Sequence, residues 1–304
     1  MSKPWILVSP ASRGIGHALT RHLLRTTTAP ILVTTRTDLP GVRASILDSL
    51  ESSPSSSLSS SSQAPIPSAS ERLHVTELDV EHEPTVQAAA AEAARLFPAK
   101  THHLHLAFAL PGILHPEKSP RDVDYDAALQ TLRVNVLGPL MLMKWFEDFL
   151  PRRGTDMHKA PIFRKGVVED EVKREDEEER EKEEKEEKEA PHATWLTASA
   201  RVGSTSDNRL GGWYTYRASK AAVNSLTKTF DLHLKTRGGD RALAVAYHPG
   251  TVRTGLSREF WGRVRADKLF SPEYAAERMV EVVRTRKLAD RGRCWDWKGE
   301  EVLP

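Results

Sequence analysis

The sequence predicts an α/β protein, a doubly wound parallel sheet with helices on both faces. Three observations carry this. Short apolar runs alternate with amphipathic stretches along most of the chain. A turn of small residues follows the first run and opens a helix. A Pro-Gly turn follows the sixth run, where a strand ends. Alternation of this kind gives parallel strands joined by helical crossovers. With 304 residues and 39% hydrophobic content, the chain is long enough for one large core.

The strand candidates are Trp5–Ser9, Ile31–Thr35, Leu73–Leu78, Leu104–Ala109, Thr194–Thr197, Ala242–Tyr247 and a last one near Arg293–Trp297. Helices are expected over Gly14–Thr26, Glu83–Leu96, Tyr125–Leu150, Tyr214–Lys235 and Pro272–Thr285. The last starts at Ser271-Pro272-Glu273, a serine cap with proline at the first helical position. The fourth ends in basic residues followed by Gly238-Gly239, a common helix terminus. One domain over residues 1–304 is expected.

Two stretches interrupt the pattern. Residues 51–70 are mostly serine with Pro54, Pro65 and Pro67, and have little to bury, so a disordered surface insertion is expected. Residues 152–191 read as a charged insertion, an exposed helix or disordered. Its centre, 169–189, has fourteen acidic against six basic residues, with Glu178–Lys182, Glu181–Lys185 and Glu184–Lys188 at helical i,i+4 spacing.

The net charge of +2 gives no reason to expect a nucleic-acid partner. The single cysteine, Cys294, cannot form an internal disulfide and suits a reducing compartment. The run Trp5-Ile6-Leu7-Val8 is too short for a signal-peptide core or a membrane span, so a cytoplasmic protein is expected. His102, His103 and His105 lack acidic or cysteine partners at ligand spacing, so no metal is expected.

Chemistry concentrates at three places. Ser9-Pro10-Ala11-Ser12-Arg13-Gly14-Ile15-Gly16 leads from the first strand into a helix. The free amides and dipole of such a helix start can cradle a pyrophosphate, with Ser9, Ser12, Arg13, Gly14, Ile15 and Gly16 around it. The second strand ends in Thr34-Thr35-Arg36. An acid there would bind a ribose 2′-hydroxyl, whereas Arg36 suits a 2′-phosphate, with Arg13 assisting and Asp38 arguing slightly against. In Tyr216-Arg217-Ala218-Ser219-Lys220, a phenol and an ammonium share one helical face. A nearby cation favours a phenolate, so the pair is expected to work as a tuned acid or base. The turn His248-Pro249-Gly250-Thr251-Val252-Arg253-Thr254 lies where open α/β sheets bind ligands, with Pro249, Gly250, Val252 and Thr254 as candidates.

Taken together, Ser-Arg-Gly-Ile-Gly, Tyr-Arg-Ala-Ser-Lys and Pro-Gly-Thr-Val-Arg-Thr, in this order and spacing, resemble the short-chain dehydrogenase/reductase family. Gly203-Ser204, Gly211-Gly212-Trp213-Tyr214 and Trp295-Asp296-Trp297-Lys298-Gly299 are similar to its small carbonyl-reductase-like and C-factor-like members. The resemblance implies a Rossmann fold and an NADPH-dependent oxidoreductase acting on a carbonyl or alcohol, assembled as a homodimer or tetramer through the Tyr125–Leu150 and Tyr214–Lys235 helices. It implies that Tyr216 protonates the carbonyl oxygen and that Lys220 holds the nicotinamide ribose. It also implies that Asn135 organises a proton path, that Asp79 lies near the adenine, and that Thr254 contacts the cofactor. Residues 257–270, with Phe260, Trp261 and several basic residues, fall where the family places its substrate lid.

Three departures stand out. Pro10 replaces the first glycine of the cofactor turn. Ala109-Leu110-Pro111-Gly112 loses two polar side chains. Register from Gly203 puts Ala200 where the active serine stands, so Ser199 is expected to supply the hydroxyl. An alternative reading is a non-catalytic dinucleotide-binding sensor or scaffold.

Overall fold

The computed structural model describes residues 1–50, 67–157, 162–164 and 192–304. Its centre is an eight-stranded sheet. Seven strands run parallel, namely β1 (Lys3–Ser9), β2 (Ile31–Thr35), β3 (Leu73–Glu77), β4 (His102–Ala109), β5 (Ala193–Ala198), β6 (Ala242–His248) and β9 (Cys294–Asp296). β10 (Glu301–Val302) closes one edge antiparallel to β9. The order is β10-β9-β6-β5-β4-β1-β2-β3, so the direction of winding reverses between β1 and β4. A separate two-stranded pair joins β7 (Thr251–Val252) to β8 (Leu269–Phe270).

Both faces of the sheet are covered, which is why inner strands such as β1 and β6 are largely apolar rather than alternating. In β1, Ile6 and Val8 turn to the core formed with α1 (Gly14–Thr26) and α8 (Pro272–Thr285), through Leu19, Leu23, Met279 and Val283. Trp5 and Leu7 turn to the other core, formed with α4 (Glu83–Leu96), α6 (Gly138–Phe146) and α7 (Tyr214–Gly238), through Ala89, Phe146 and Phe230. The period-2 alternation of a strand produces this division directly. Ser271 caps α8 through the Tyr274 amide at 3.1 Å, with Pro272 at the first helical position, as the sequence suggests.

Several elements differ from the sequence reading. The helix expected over Tyr125–Leu150 is broken into α5 (Tyr125–Leu132), a π-turn over Arg133–Leu137, α6 and a 3₁₀ turn over Glu147–Phe149. α2 (Leu39–Leu47) is not among the expected helices; Asp38 caps it by accepting from Gly41 N at 3.0 Å. The serine-rich stretch gives way to the fold before residue 70. Ser68 caps the short α3 (Ala69–Arg72) with a capping box, and Arg72 is buried, donating to the carbonyls of Thr27 and Ala29. The rest of that insertion, 51–66, lies outside the described residues.

The charged insertion is likewise narrower than 152–191. Ile162 is buried in the core, Thr28 N donates to its carbonyl at 2.8 Å, and Arg164 N donates to Thr26 O at 2.7 Å. Met157 forms a bridge with Ser2. Apolar residues at 157, 162 and 163 explain these contacts. The Glu/Lys-rich centre, 169–189, lies outside the described residues. Among the described residues, no helix is long and apolar enough to cross a membrane, and no three His, Cys, Asp or Glu side chains cluster as metal ligands.

Candidate active site

Ligands of open α/β sheets bind beyond the carboxyl ends of the strands, where the winding reverses. Here that crevice lies between β1 and β4. Leu110 N donates to Ser9 O at 2.6 Å, holding the two strand ends together.

On the β1 side, Arg13 occupies the N-cap of α1 without a side-chain cap, and no acid sits in the first turn. The amide end of the helix is thus left for an anion. Gly14 has φ +58°, and a Cβ there would lie 3.2 Å from Thr254 Cγ2, so the glycine turn and the Pro-Gly turn meet. Gly16 is tighter still, since a Cβ would stand 2.0 Å from Pro10 O and 3.2 Å from Ala11 Cα. Pro10 therefore leaves the close approach of turn and helix intact. Gly16→Ala is expected to force that backbone apart at a cost of about 1–3 kcal/mol, the usual range for overpacking. A calorimetric Tm equal to the parent's would contradict this.

The other cofactor candidates fall into three groups. Ser12, Arg13 and Arg36 are exposed, and none of the ion pairs among the described residues involves Arg13 or Arg36. Asp38, the acid nearest Arg36 in sequence, serves as the α2 cap. Ile15 is half-buried against the core beneath the turn. Ser9 is fully buried and its Oγ accepts from Thr34 Oγ1 at 2.8 Å, so its side chain braces β1 against β2. Asp79 turns the chain after β3, accepting from Glu81 N at 3.0 Å. Pro249 is half-buried. Gly250, at φ +75°, fits under the rings of Phe270 and Trp297, and Val252 pairs with Phe270 in the small sheet.

On the β4 side, Tyr216 and Lys220 are buried one turn apart on α7. Lys220 Nζ donates to Ala198 O at 2.9 Å and lies 5.6 Å from the centre of the Tyr216 ring. Gly203 makes room for this helix, because a Cβ there would strike the Lys220 backbone carbon at 2.6 Å. Asn135 is fully buried in the π-turn. Its Oδ1 accepts from Ile113 N at 2.8 Å, and its Nδ2 donates to Ile113 O at 2.9 Å and Ser219 Oγ at 3.0 Å. The extra residue of a π-turn aims this side chain at the loop after β4, a common use of such turns.

Burial dominates the electrostatics. It pushes the Tyr216 phenol above its ordinary value of 10.0 and the Lys220 ammonium down from 10.5 to about 8. The sequence reading expected the lysine to lower the tyrosine, but desolvation wins in the free protein. Near pH 7 the phenol is therefore protonated, although burial alone makes it a weaker acid than a free tyrosine. His248, at the end of β6, is pushed down to about 4 by burial and then by Arg201, and is neutral near pH 7.

The Ser199 hydroxyl faces α7, 3.4 Å from Lys220 O. Ser199 Oγ donates to Asn224 Oδ1 at 2.6 Å, because alternate residues of β5 face α7 and Ser199 continues that face. Ala200, with only a methyl group, caps the turn that follows. Residues that sequence reasoning missed include Trp213, whose ring centre is 6.1 Å from that of Tyr216 and 4.8 Å from that of Phe260. Ser219 and Glu117 were also missed. Ser219 was visible inside the Tyr-x-x-Ser-Lys run; Glu117, in an irregular loop, carries no sequence signal.

No family model matches the chain. It is 37% identical over 83 residues to 1-hydroxy-2-glutathionyl-2-methyl-3-butene dehydrogenase of Rhodococcus sp. (strain AD45), a match spanning 27% of this chain and 34% of that relative. Its structure is similar to NADPH-bound carbonyl reductase from chicken fatty liver, with TM-score 0.70, 22% identity and full coverage of both chains. It is also similar to a short-chain dehydrogenase/reductase of Burkholderia multivorans with bound NADP, with TM-score 0.64, 21% identity, and 99% and 100% coverage. The chain has the short-chain dehydrogenase/reductase fold. Within this fold, Tyr216, Lys220 and Asn135 converge on one end of the crevice, while the glycine turn and Thr254 meet at the other.

Proposed function

We propose that the protein is an NADPH-dependent oxidoreductase acting on a carbonyl or its matching alcohol. The observation that carries this reading is a buried phenol with a buried ammonium beside its ring, at the strand ends where the glycine turn opens. The similar structures with NADPH and NADP bound support it. The residues present fit a dinucleotide: an uncapped helix start, two glycines that exclude side chains from the turn, and two exposed arginines. Gly14, Gly16 and Thr254 would line the pyrophosphate, Arg13 and Arg36 the 2′-phosphate, and Asp79 the adenine. When bound, NADPH supplies the reducing equivalent. Tyr216 Oη donates the proton to the carbonyl oxygen. The positive charge of Lys220, beside the ring, favours the phenolate left behind. Asn135 fixes Ile113 and Ser219, and with them the wall of the site.

Purified protein mixed with NADPH and a panel of carbonyl compounds, followed by NADPH absorbance, tests the reading directly. Turnover of none of them would reject it. One observation favours a second reading, a dinucleotide-binding sensor, because the hydroxyl of Ser199 is taken by Asn224. Cofactor binding without turnover would select that reading. NADPH is expected to bind more tightly than NADH. Arg36→Asp should narrow or reverse the difference, since the ribose 2′ position would then meet an acid. Calorimetric titration of both cofactors checks this, and equal affinities in the parent protein would refute it. Self-association through α5, α6 and α7 belongs to the same proposal, and Leu132, Leu137 and Leu232, on α5, the π-turn and α7, are exposed for it.

A further inference from the structure

The catalytic helix begins in an unusual way. Its N-cap, Trp213, is in the left-handed region at φ 52°, after Gly211 and Gly212 at φ +63° and +66°, and has no side-chain cap. A non-glycine residue held there needs support from outside the helix. The support comes from Glu117, in the loop between β4 and α5. Glu117 is 4% exposed and forms none of the ion pairs among the described residues. Its Oε2 accepts from Thr215 N at 2.8 Å, its Oε1 accepts from Thr215 Oγ1, and its main-chain oxygen accepts from Trp213 N at 2.6 Å. Burying a carboxylate is costly unless its charge is met. Here it is met by the amide end of a 25-residue helix, the place where a negative charge is best received.

The same loop reaches the other side of the site. Ile113 is gripped at both its N–H and its carbonyl by Asn135, and a Cβ on Gly112 would lie 3.6 Å from Lys220 Nζ. Asn135 in turn donates to Ser219 Oγ, which donates to Tyr216 O at 2.7 Å. The contacts therefore close a ring from Tyr216 through Ser219, Asn135, Ile113 and the loop to Glu117, and back through Thr215. Asn135 holds one side of this ring and Glu117 the other.

We propose that Glu117 is a positioning residue for Tyr216, fixing the first turn of α7 and so the place from which the phenol meets the substrate. Its kinetic consequence rests on the oxidoreductase reading; its structural consequence does not. A misplacement of about 1 Å can cost on the order of 10²-fold in rate.

The test compares the parent, Glu117→Ala and Glu117→Asp, the last keeping the charge but falling one methylene short. Two quantities are measured on the full chain: steady-state kinetics with NADPH and a carbonyl compound, and amide hydrogen exchange over residues 213–217. In Glu117→Ala, kcat is expected to fall about tenfold or more with KM for NADPH within about twofold. Exchange at 213–217 should quicken about tenfold or more, with the second half of α7 unchanged. Glu117→Asp should lie between, with kcat down roughly threefold, and it decides the matter if Glu117→Ala does not fold. Parent-like exchange at 213–217, or parent-like kcat in both variants, would overturn the proposal. If the parent itself turns over no carbonyl, the functional reading fails, and the exchange result alone decides the role of Glu117.

Discussion

Replacing Tyr216 by phenylalanine is expected to slow carbonyl reduction by about 10²- to 10⁴-fold, the usual contribution of a positioned acid or base. The ring stays, so its contact with Trp213 and its buried place are kept. Only the proton donor is lost. NADPH affinity should stay within about twofold, because the lost group acts on the reacting oxygen and not on binding. Steady-state rates and a fluorescence titration of NADPH give both quantities. A phenylalanine variant with most of the parent's kcat would show that the proton comes from elsewhere, and would remove the central claim about this site.

Lys220→Met is expected to pull activity and stability in opposite directions. Turnover should fall about 10²-fold or more, since a preorganised charge beside the reacting group is lost. Stability at pH 7 should rise, by a Tm shift on the order of 2 °C, because a buried ammonium is replaced by an apolar chain of similar length. The gain is limited by Ala198 O, which loses its partner. The pH dependence follows from the lysine's folded value of about 8 against 10.5 when free. Below about 8 both folded and unfolded chains hold the proton, and the folded one bears the full cost of burial. Between about 8 and 10.5 the unfolded chain binds more protons, so the parent gains stability from this group as pH rises. The Tm difference between variant and parent should therefore shrink over that window, while the parent's activity falls as Lys220 loses its charge. A difference that stays constant from pH 7 to pH 10, read by calorimetry, would contradict the buried-ammonium account.

Parts of the molecule set by local rules were legible in the sequence. The parallel strands showed as apolar runs, and α8 showed its serine cap and proline. Gly16 was marked by its motif, although only the structure shows that Pro10 O is what excludes a side chain there. What escaped depended on contacts between distant residues or on side-chain direction. The π-turn is invisible because Arg133–Leu137 reads as ordinary helix; the bonds of Asn135 with Ile113 that go with it join residues 22 apart in sequence. The direction of Ser199 was not legible either, because strand register, continued past the end of β5, turns it toward Asn224. The Tyr216 phenol was expected to be lowered by its lysine, but spacing along a helix does not reveal how much water both groups lose on folding. Glu117 escaped altogether, because nothing in an irregular loop indicates which helix it will cap.

The parallel order of the central strands also sets a timetable for synthesis. Lys3 is registered with His102, and Ser9 with Ala109, about a hundred residues later. At roughly 5–20 residues per second, β1 waits about 5–20 s for its second neighbour. During that time β1 can pair on one side only, with β2, leaving the inner edge of the future crevice bare. Tyr216 emerges later still, and β9 comes last of the seven parallel strands. A dinucleotide can thus find both walls of its crevice only once most of the chain has been made. The same long-range pairing favours slow folding, with the β1 edge open to wrong partners in the meantime.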